Sequence, residues 1–238
     1  LNPKFSFIIP AYNEAALIGR TLDVLRESAS HLRGASEIIV ANDDSTDRTL
    51  EIAREKGARV IDVKKRQIAA VRNAGASIAT GDILVFVDAD TLVPKETLLA
   101  MENLLLRPNV IGGGAYMNFD VRPPWWGLIG IRVFTFFFFN VAGFAAGGFL
   151  FARRDAFDRA GRWDETYFAS EEVHLSRALK KVGKFQILRE PVVTSARKFR
   201  MKSRREHIAL LKHLAFKGMK GLRGREGLDM WYDGSREK

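Results

Sequence analysis

Two aspartates stand two residues apart where an apolar run ends, in Val87-Asp88-Ala89-Asp90. In extended backbone such residues point the same way. The pair can then offer carboxylate oxygens together to a hard divalent cation, and Mg2+ or Mn2+ completes such a shell with substrate phosphates. An isolated Asp-x-Asp is ordinarily a solvated loop or a cap. This one closes a strand-like run, Asp82–Val87, at the edge where open α/β sheets bind ligands. A second acidic cluster, Asn42-Asp43-Asp44-Ser45-Thr46-Asp47, follows the apolar run Glu37–Ala41. Ser45 or Thr46 is expected to cap the next helix, with Asp47 favouring its positive end. Asp43 and Asp44 exceed that need, and a carboxylate here can accept hydrogen bonds from a base imide. Pro10-Ala11-Tyr12-Asn13-Glu14 ends the first apolar run with backbone groups and a carboxylate suited to a ribose or base. A third acidic pair, Glu171-Glu172, opens a helical pattern after Ser170. Adjacent carboxylates repel, which raises the pKa of one of them, and a carboxylate can take a proton from a hydroxyl. The plainer reading is two first-turn acids behind a Ser170 cap; capping does not exclude catalysis.

The elements that must position these groups alternate. Phe5–Ile9, Glu37–Ala41, Arg59–Val63 and Asp82–Val87 read as strands. Glu14–Ser28, Thr46–Lys56 and Gln67–Ala79 read as helices, the second stopped by Gly57. The alternation predicts βαβ units and an α/β fold, a mostly parallel sheet with helices on both faces. The loops after Ile9, Ala41 and Val87 should then line one cleft. Beyond Thr91 the pattern gives a helix over Lys95–Arg107 and a glycine-rich strand over Val110–Phe119. A break follows at Pro123-Pro124-Trp125-Trp126, then a strand over Gly147–Ala152, a helix over Ser170–Val182 and a strand over Phe185–Leu188. No repeat and no long linker divides the chain, so it reads as one domain over 1–200 with a basic amphipathic tail over 201–238, helical from about Lys202 to Leu222.

The 238 residues are 47% hydrophobic and 28% charged, which excludes a disordered or collagen-like chain. There is no cysteine, which excludes disulfides, Cys-ligated zinc, iron–sulfur clusters and thiol catalysis, and suits the cytosol. No secretory signal is visible, so the expected location is the cytoplasm, either free or peripherally attached to the inner face of a membrane. The net charge of +10 is uneven: residues 1–188 carry 24 Lys and Arg against 22 acids, residues 189–238 carry 14 against 6. Such a tail either solubilises the chain or meets an anionic partner. Ile208, Leu211, Leu214 and Met219 share a helical face away from Lys212, Lys217 and Lys220, as in interfacial helices. Nucleic acid is not expected, because aromatics do not interleave with these basic residues and no nucleic-acid-binding signature appears. From Val133 to Ala152 no residue is charged, and Phe134 and Phe136–Phe139 crowd together. Small and polar residues dilute this run, and its end reads as a core strand, which leaves too few residues to span a bilayer. A headgroup contact, core packing and a dimer contact remain open for it.

The acidic segments combine with Arg72-Asn73-Ala74-Gly75, Gly81-Asp82, Gly147-Gly148 with Arg153-Arg154, Gly161-Arg162-Trp163-Asp164-Glu165 and Ser170 through Leu175. In this order, over roughly residues 5–190, they resemble the inverting family-two glycosyltransferases of the GT-A, Rossmann-like fold. The resemblance implies a nucleotide-diphosphate sugar donor, UDP- or GDP-linked, and a hydroxyl acceptor. It implies a nucleotide-sugar half over about 1–92 and an acceptor half over about 93–200. Pro10, Ala11, Glu14 and Asp43 would cradle the nucleoside, Asp88 would touch the ribose, and Asp90 would hold Mn2+ or Mg2+ against the diphosphate. Arg72 or Arg66 would approach the phosphates; the plainer role for Arg72 is an ion pair within its helix. Glu172 would be the base, with Glu171, Gly147, Gly148 and Trp163 on the acceptor side. Asn42-Asp43-Asp44 departs from the usual two aspartates and glycine, Glu172 stands for the usual aspartate, and His174 replaces a common acidic residue. The tail makes a lipid or lipid-linked glycan a candidate acceptor. A non-catalytic nucleotide-sugar-binding protein on the same fold is the alternative.

Overall fold

The computed structural model describes residues 5–121, 139 and 142–197. Its first half is a parallel alternation: β1 Phe5–Ala11, α1 Ile18–Ala29, β2 Ser36–Asp43, α2 Thr49–Glu55, β3 Arg59–Val63, α3 Ile68–Ile78 and β4 Ile83–Val87. The second half adds β5 Thr91–Leu92, α4 Lys95–Leu105, β6 Val110–Phe119, β7 Phe149–Arg153, α5 Arg154–Arg159, α6 Glu171–Val182 and β8 Lys184–Thr194. One sheet holds all eight strands in the order β3-β2-β1-β4-β7-β6-β8-β5. β3, β2, β1 and β4 run parallel, as does β6 with β8, while β7 enters antiparallel between β4 and β6.

The strands are apolar on both faces because both faces are covered, and the two-residue period sorts their side chains into two cores. Phe5, Phe7 and Ile9 of β1, with Val85 and Val87 of β4, pack with Leu22 and Leu25 of α1 and Leu98 and Met101 of α4. Ile8, Leu84 and Phe86 face the other way, toward Ala69 and Ala76 of α3, Phe157 of α5 and Leu175 and Leu179 of α6. The glycines of β6 answer a close approach: a Cβ at Gly113 would lie 2.0 Å from the Gln186 carbonyl oxygen.

Several boundaries differ from the sequence expectation, among them the start of α1, at Ile18 rather than Glu14. β8 runs well past Leu188 to Thr194, across Pro191, because the register with β6 shifts between Ala115 and Met117 and leaves residues 189–191 outside the regular pairing. A proline without an N–H is tolerated at such an irregularity. Thr91–Leu92 pairs with Val193 and Thr194 as a short outer strand that sequence periodicity is too coarse to reveal. α2 starts at Thr49 rather than Thr46, for reasons given below. The expected helix over about 202–222, the Trp125-Trp126 pair and Phe134–Phe138 lie outside the described residues. Phe139 is buried against Tyr116, with ring centroids 5.0 Å apart. The end of the uncharged run is the buried strand β7. Among the described residues no helix is long and apolar enough to cross a membrane.

Candidate active site

The carboxyl ends of β1, β2 and β4 open onto one rim, and side chains of each loop tie down the next. Asn13, in a left-handed conformation at φ 52°, donates its N–H to Ser45 Oγ at 3.0 Å and accepts from the Thr46 N–H at 2.8 Å. The Glu14 N–H donates to Thr49 Oγ1 at 2.7 Å. Ser45 and Thr46 therefore hold the β1 loop instead of capping α2. Asp47 meets the helix start, where its Oδ1 accepts from the Thr49 N–H at 2.9 Å. Asp43 Oδ1 accepts the N–H groups of Lys65 at 2.7 Å and Arg66 at 3.1 Å, fixing the β3–α3 loop beside the rim. Arg66 lies over the Tyr12 ring at 3.9 Å. Asp44 sits at φ 59°, the left-handed region that glycine adopts freely and aspartate tolerates. That accounts for an aspartate where the resemblance expects glycine. Asn42 also has a local reason: its amide donates to Asp62 Oδ1 at 2.7 Å, where a second carboxylate would repel.

At the end of β4 the chain turns instead of staying extended, with the Thr91 N–H bonded to the Asp88 carbonyl at 3.0 Å. The side-by-side arrangement expected for Asp88 and Asp90 is replaced by one in which each carboxylate has its own arginine. Asp88 Oδ1 accepts from Arg72 Nη2 at 2.8 Å. Arg72, 1% exposed on α3, also donates from Nη1 to Glu171 Oε1 at 2.7 Å and from Nη2 to the Gly147 carbonyl at 3.0 Å. Both ion-pair partners lie outside α3, so the intrahelical pair expected as its plainer role is not formed. Burial works against the Arg72 charge, but Asp88 and Glu171 outweigh it and hold its pKa above the usual arginine value. Trp163 lies beneath the guanidinium, 4.6 Å from its ring centre, and meets Phe86 edge-on at 5.1 Å.

Glu172 completes this cluster. A Cβ built on Gly147 would lie 3.4 Å from Arg72 Nη2 and 4.0 Å from both Asp88 Oδ2 and the Glu172 carboxyl carbon. Arg72, Asp88 and Glu172 thus converge over Gly147, between the β4 rim and α6. Burial, then the neighbouring Glu171, push the Glu172 carboxyl up to about 8. Ser170 does not cap α6 through its side chain; it takes a left-handed turn at φ 59° that feeds the two glutamates inward.

α3 also anchors the segment that leads to them. The Asn73 amide donates to the Trp163 carbonyl at 2.9 Å and to Glu165 Oε1 at 2.8 Å, while its oxygen accepts the Trp163 N–H at 3.2 Å. Gln67 caps α3 by accepting from the Ala70 N–H and donates to the Tyr167 carbonyl, both at 2.6 Å. Gly75 lets the helix lie on β1, since a Cβ there would meet Ile8 Cγ2 at 2.5 Å.

On the other side of the rim stands a residue the sequence reading missed. Arg197, 3% exposed just after β8, places Nη2 2.5 Å from the Glu14 carboxylate and 3.3 Å from Asp90 Oδ2. Its sequence setting, the first arginine of a basic run, is indistinguishable from a solvated charge. The alternation of buried Val192, Thr194 and Ala196 would put residue 197 on the opposite face, so local spacing carries no signal for it.

The structure brings Pro10, Ala11, Glu14, Asp43, Asp88, Asp90, Gly147, Gly148, Glu171 and Glu172 to this one end of the sheet. Gly148 packs against Thr91 and Met117, where a Cβ would lie 3.2 and 3.4 Å away. Two expectations need correction. Trp163, expected at an acceptor, is 2% exposed in the core beneath Arg72. Arg72, expected at the phosphates, has its guanidinium committed to Asp88, Glu171 and Gly147. Both lie behind the carboxylates because α3 packs under the rim.

The residues present fit a divalent cation. The rim offers the carboxylate oxygens of Glu14, Asp88, Asp90, Glu171 and Glu172 as side-chain ligands. With Glu172 protonated, the carboxylates of Glu14, Asp88, Asp90 and Glu171 outnumber the cations of Arg72 and Arg197 by two formal charges. Among the described residues no three His, Cys, Asp or Glu converge as a closed cage. That suits a cation taking one or two carboxylates here and its other ligands from a phosphorylated substrate.

The family described as Glycosyl transferase family 2 matches residues 6–161. Validoxylamine A glucosyltransferase of Streptomyces hygroscopicus subsp. jinggangensis is 36% identical over 131 residues, covering 51% of this chain and 31% of its own length. The amylovoran biosynthesis glycosyltransferase AmsB of Erwinia amylovora is 27% identical over 214 residues, covering 79% of this chain and 68% of its own. Among solved structures, the mannosyltransferase PcManGT from Pyrobaculum calidifontis, in complex with GDP-Man and Mn2+, superposes with a TM-score of 0.66 at 22% identity, over 90% of this chain and 65% of that one. S. aureus TarS with UDP-GlcNAc gives 0.64 at 18%, over 90% and 67%. These likenesses show the shared GT-A fold. The chain spans about a third of the length of the first curated relatives it matches, at 32% and 31%.

Proposed function

The chain belongs to glycosyl transferase family 2, and from that premise we propose that it moves a sugar from a nucleotide-diphosphate sugar to an acceptor hydroxyl by a single displacement with inversion. The observation that carries this reading is the convergence over Gly147 of Asp88 from the donor rim and Glu172 from α6, each 4.0 Å from the position a Cβ would take. An acceptor oxygen entering beside Glu172 gives its proton to the carboxylate and forms a bond to the anomeric carbon. The bond from that carbon to the diphosphate oxygen breaks, and no protein nucleophile is required. Proton removal by a positioned carboxylate contributes about 10²–10⁴-fold. Asp43 and the Pro10–Glu14 turn hold the nucleoside and Asp88 the ribose. Arg72 is a positioning residue that fixes Asp88 and Glu171, and Trp163 backs it. Asp90 is the protein ligand for Mn2+ or Mg2+. The bound cation supplies Lewis-acid stabilisation of charge on the departing diphosphate. An anionic donor would be repelled by a rim with excess negative charge, and the cation removes that conflict. The GDP-Man and UDP-GlcNAc complexes of structural neighbours support a UDP- or GDP-linked donor.

A lipid or lipid-linked glycan acceptor, reached from peripheral contact with the inner face of a membrane, is supported by the excess of basic residues over 189–238. Flotation with anionic liposomes, comparing the full chain with one ending at Arg200, checks it; equal flotation removes the support. The donor reading is tested by thermal shift with UDP- and GDP-sugars, with and without Mn2+. A donor that stabilises only with Mn2+, and not after Asp90→Ala, is the expected result. A Glu172→Gln chain that still transfers sugar at the wild-type rate would refute the base assignment.

A further inference from the structure

Arg197 lies beyond the residues that the family matches, 6–161, and the donor-site motifs do not include it. It is nonetheless built into the rim. The Ser195 N–H donates to the Asp90 carbonyl at 3.2 Å, the Ala196 N–H to Asp120 Oδ1 at 2.8 Å and the Arg197 N–H to Ser195 Oγ at 3.3 Å. These bonds aim the side chain inward, and a single nitrogen, Nη2, reaches both Glu14 and Asp90. Glu14 is fixed in turn through its backbone bond to Thr49. A guanidinium cannot lose its proton in a protein, so the Asp90 carboxylate already faces a permanent cation. A divalent ion on the same carboxylate would sit within a few ångströms of that charge, in surroundings that screen it poorly.

Building on the assignment of Asp90 as a cation ligand, we propose that Arg197 is a resident counter-cation that holds Glu14 and Asp90 in the donor-free protein and keeps a divalent ion off Asp90 until a nucleotide diphosphate arrives. The diphosphate adds negative charge and further oxygen ligands, the ion takes Asp90, and the guanidinium leaves that carboxylate. Cation binding is therefore weak alone and strong with nucleotide, and Arg197 is the cause of the difference.

The test measures Mn2+ binding to the full chain by paramagnetic resonance of the unbound ion, without nucleotide and with UDP or GDP. Arg197→Gln removes the charge and nearly keeps the length; Arg197→Lys keeps the charge. Without nucleotide, Arg197→Gln should bind Mn2+ about tenfold or more tightly than wild type, the scale of one lost charged hydrogen bond. Arg197→Lys should stay near wild type, and adding Asp90→Asn to Arg197→Gln should abolish the gain. Equal nucleotide-free affinities in wild type and Arg197→Gln, with nucleotide-dependent binding retained in both, would overturn the counter-cation and leave Asp90 as a ligand. No Mn2+ binding by any chain, even with nucleotide, would overturn both. A wild-type measurement covers the case in which Arg197→Gln fails to fold. In arginine side-chain NMR, Mg2+ plus nucleotide should speed proton exchange at the Arg197 guanidinium and leave Arg72 protected; unchanged exchange at Arg197 would refute the displacement.

Discussion

Replacing Glu172 with glutamine should make the protein more stable and less active at once. In the folded chain burial first, and then Glu171, raise this carboxyl from 4.5 to about 8. The fold thus keeps a proton that the unfolded chain releases near 4.5. The stability that the raised pKa supports is complete below about pH 4.5 and drains away as pH climbs to about 8. For one group the slope is about 1.4 kcal/mol per pH unit, or about 3 kcal/mol by pH 7, less what the solvent-facing part of the carboxyl screens. Glutamine has no proton to lose and approximates the protonated acid in size. Urea titrations across this range, followed by circular dichroism, should give coincident curves for wild type and Glu172→Gln at the acid end. The curves should part progressively, with the variant the more stable, toward pH 8. Parallel pH profiles would refute the inference that Glu172 is held neutral in the donor-free cleft. In the same preparations transfer should fall by about 10²–10⁴-fold. Wild-type kcat/KM, which reports the ionisation of the free enzyme, should rise with pH toward about 8.

The other expectations concern the supports of the site. Arg72→Ala leaves Asp88 and Glu171 without their shared cation and should cost about 3–5 kcal/mol in denaturant unfolding, with Arg72→Lys restoring only part because an ammonium lacks the fork that spans both. Asn42→Asp sets a carboxylate against Asp62, where the amide now donates at 2.7 Å; a loss of about 1 kcal/mol should be recovered when Asp62→Asn is added. Gly75→Ala drives a methyl to 2.5 Å from Ile8 Cγ2 and should cost about 1–3 kcal/mol; pairing it with Ile8→Ala should give a thermal shift smaller than the sum of the two single changes.

The parallel half of the sheet was legible because both faces of its strands are buried. Phe7–Ile9 and Ile83–Val87 read as unbroken apolar runs, and the helices between them keep their period. The second half was less so. β8 passes through Arg189, Glu190 and Pro191, polar and proline signals that ordinarily end a strand; the irregular pairing opposite Ala115–Met117 carries it on. Candidate residues for the rim could be named because strand-like runs end in carboxylates at Asp43 to Asp44 and at Asp88 and Asp90. Their partners could not. That Arg72 serves Asp88 and Glu171 depends on α3 lying beneath β4, and that Arg197 reaches Asp90 depends on β8 ending beside the β4 turn, neither of which is encoded in local spacing. Trp163 was misplaced for the same reason: an indole beside a Gly-Arg pair looks available until the helix that covers it is in place.

Gln67, Arg72 and Asn73 sit within two turns of a single helix, and among them they grip the carbonyl of Tyr167, the carboxylate of Glu171 and the backbone of Trp163. That helix works as a jig: on the proposed mechanism, the alignment of leaving group and incoming alcohol would be machined into one rigid bar. Loops elsewhere are then at liberty to drift toward new acceptors over evolutionary time without throwing the reacting atoms out of line.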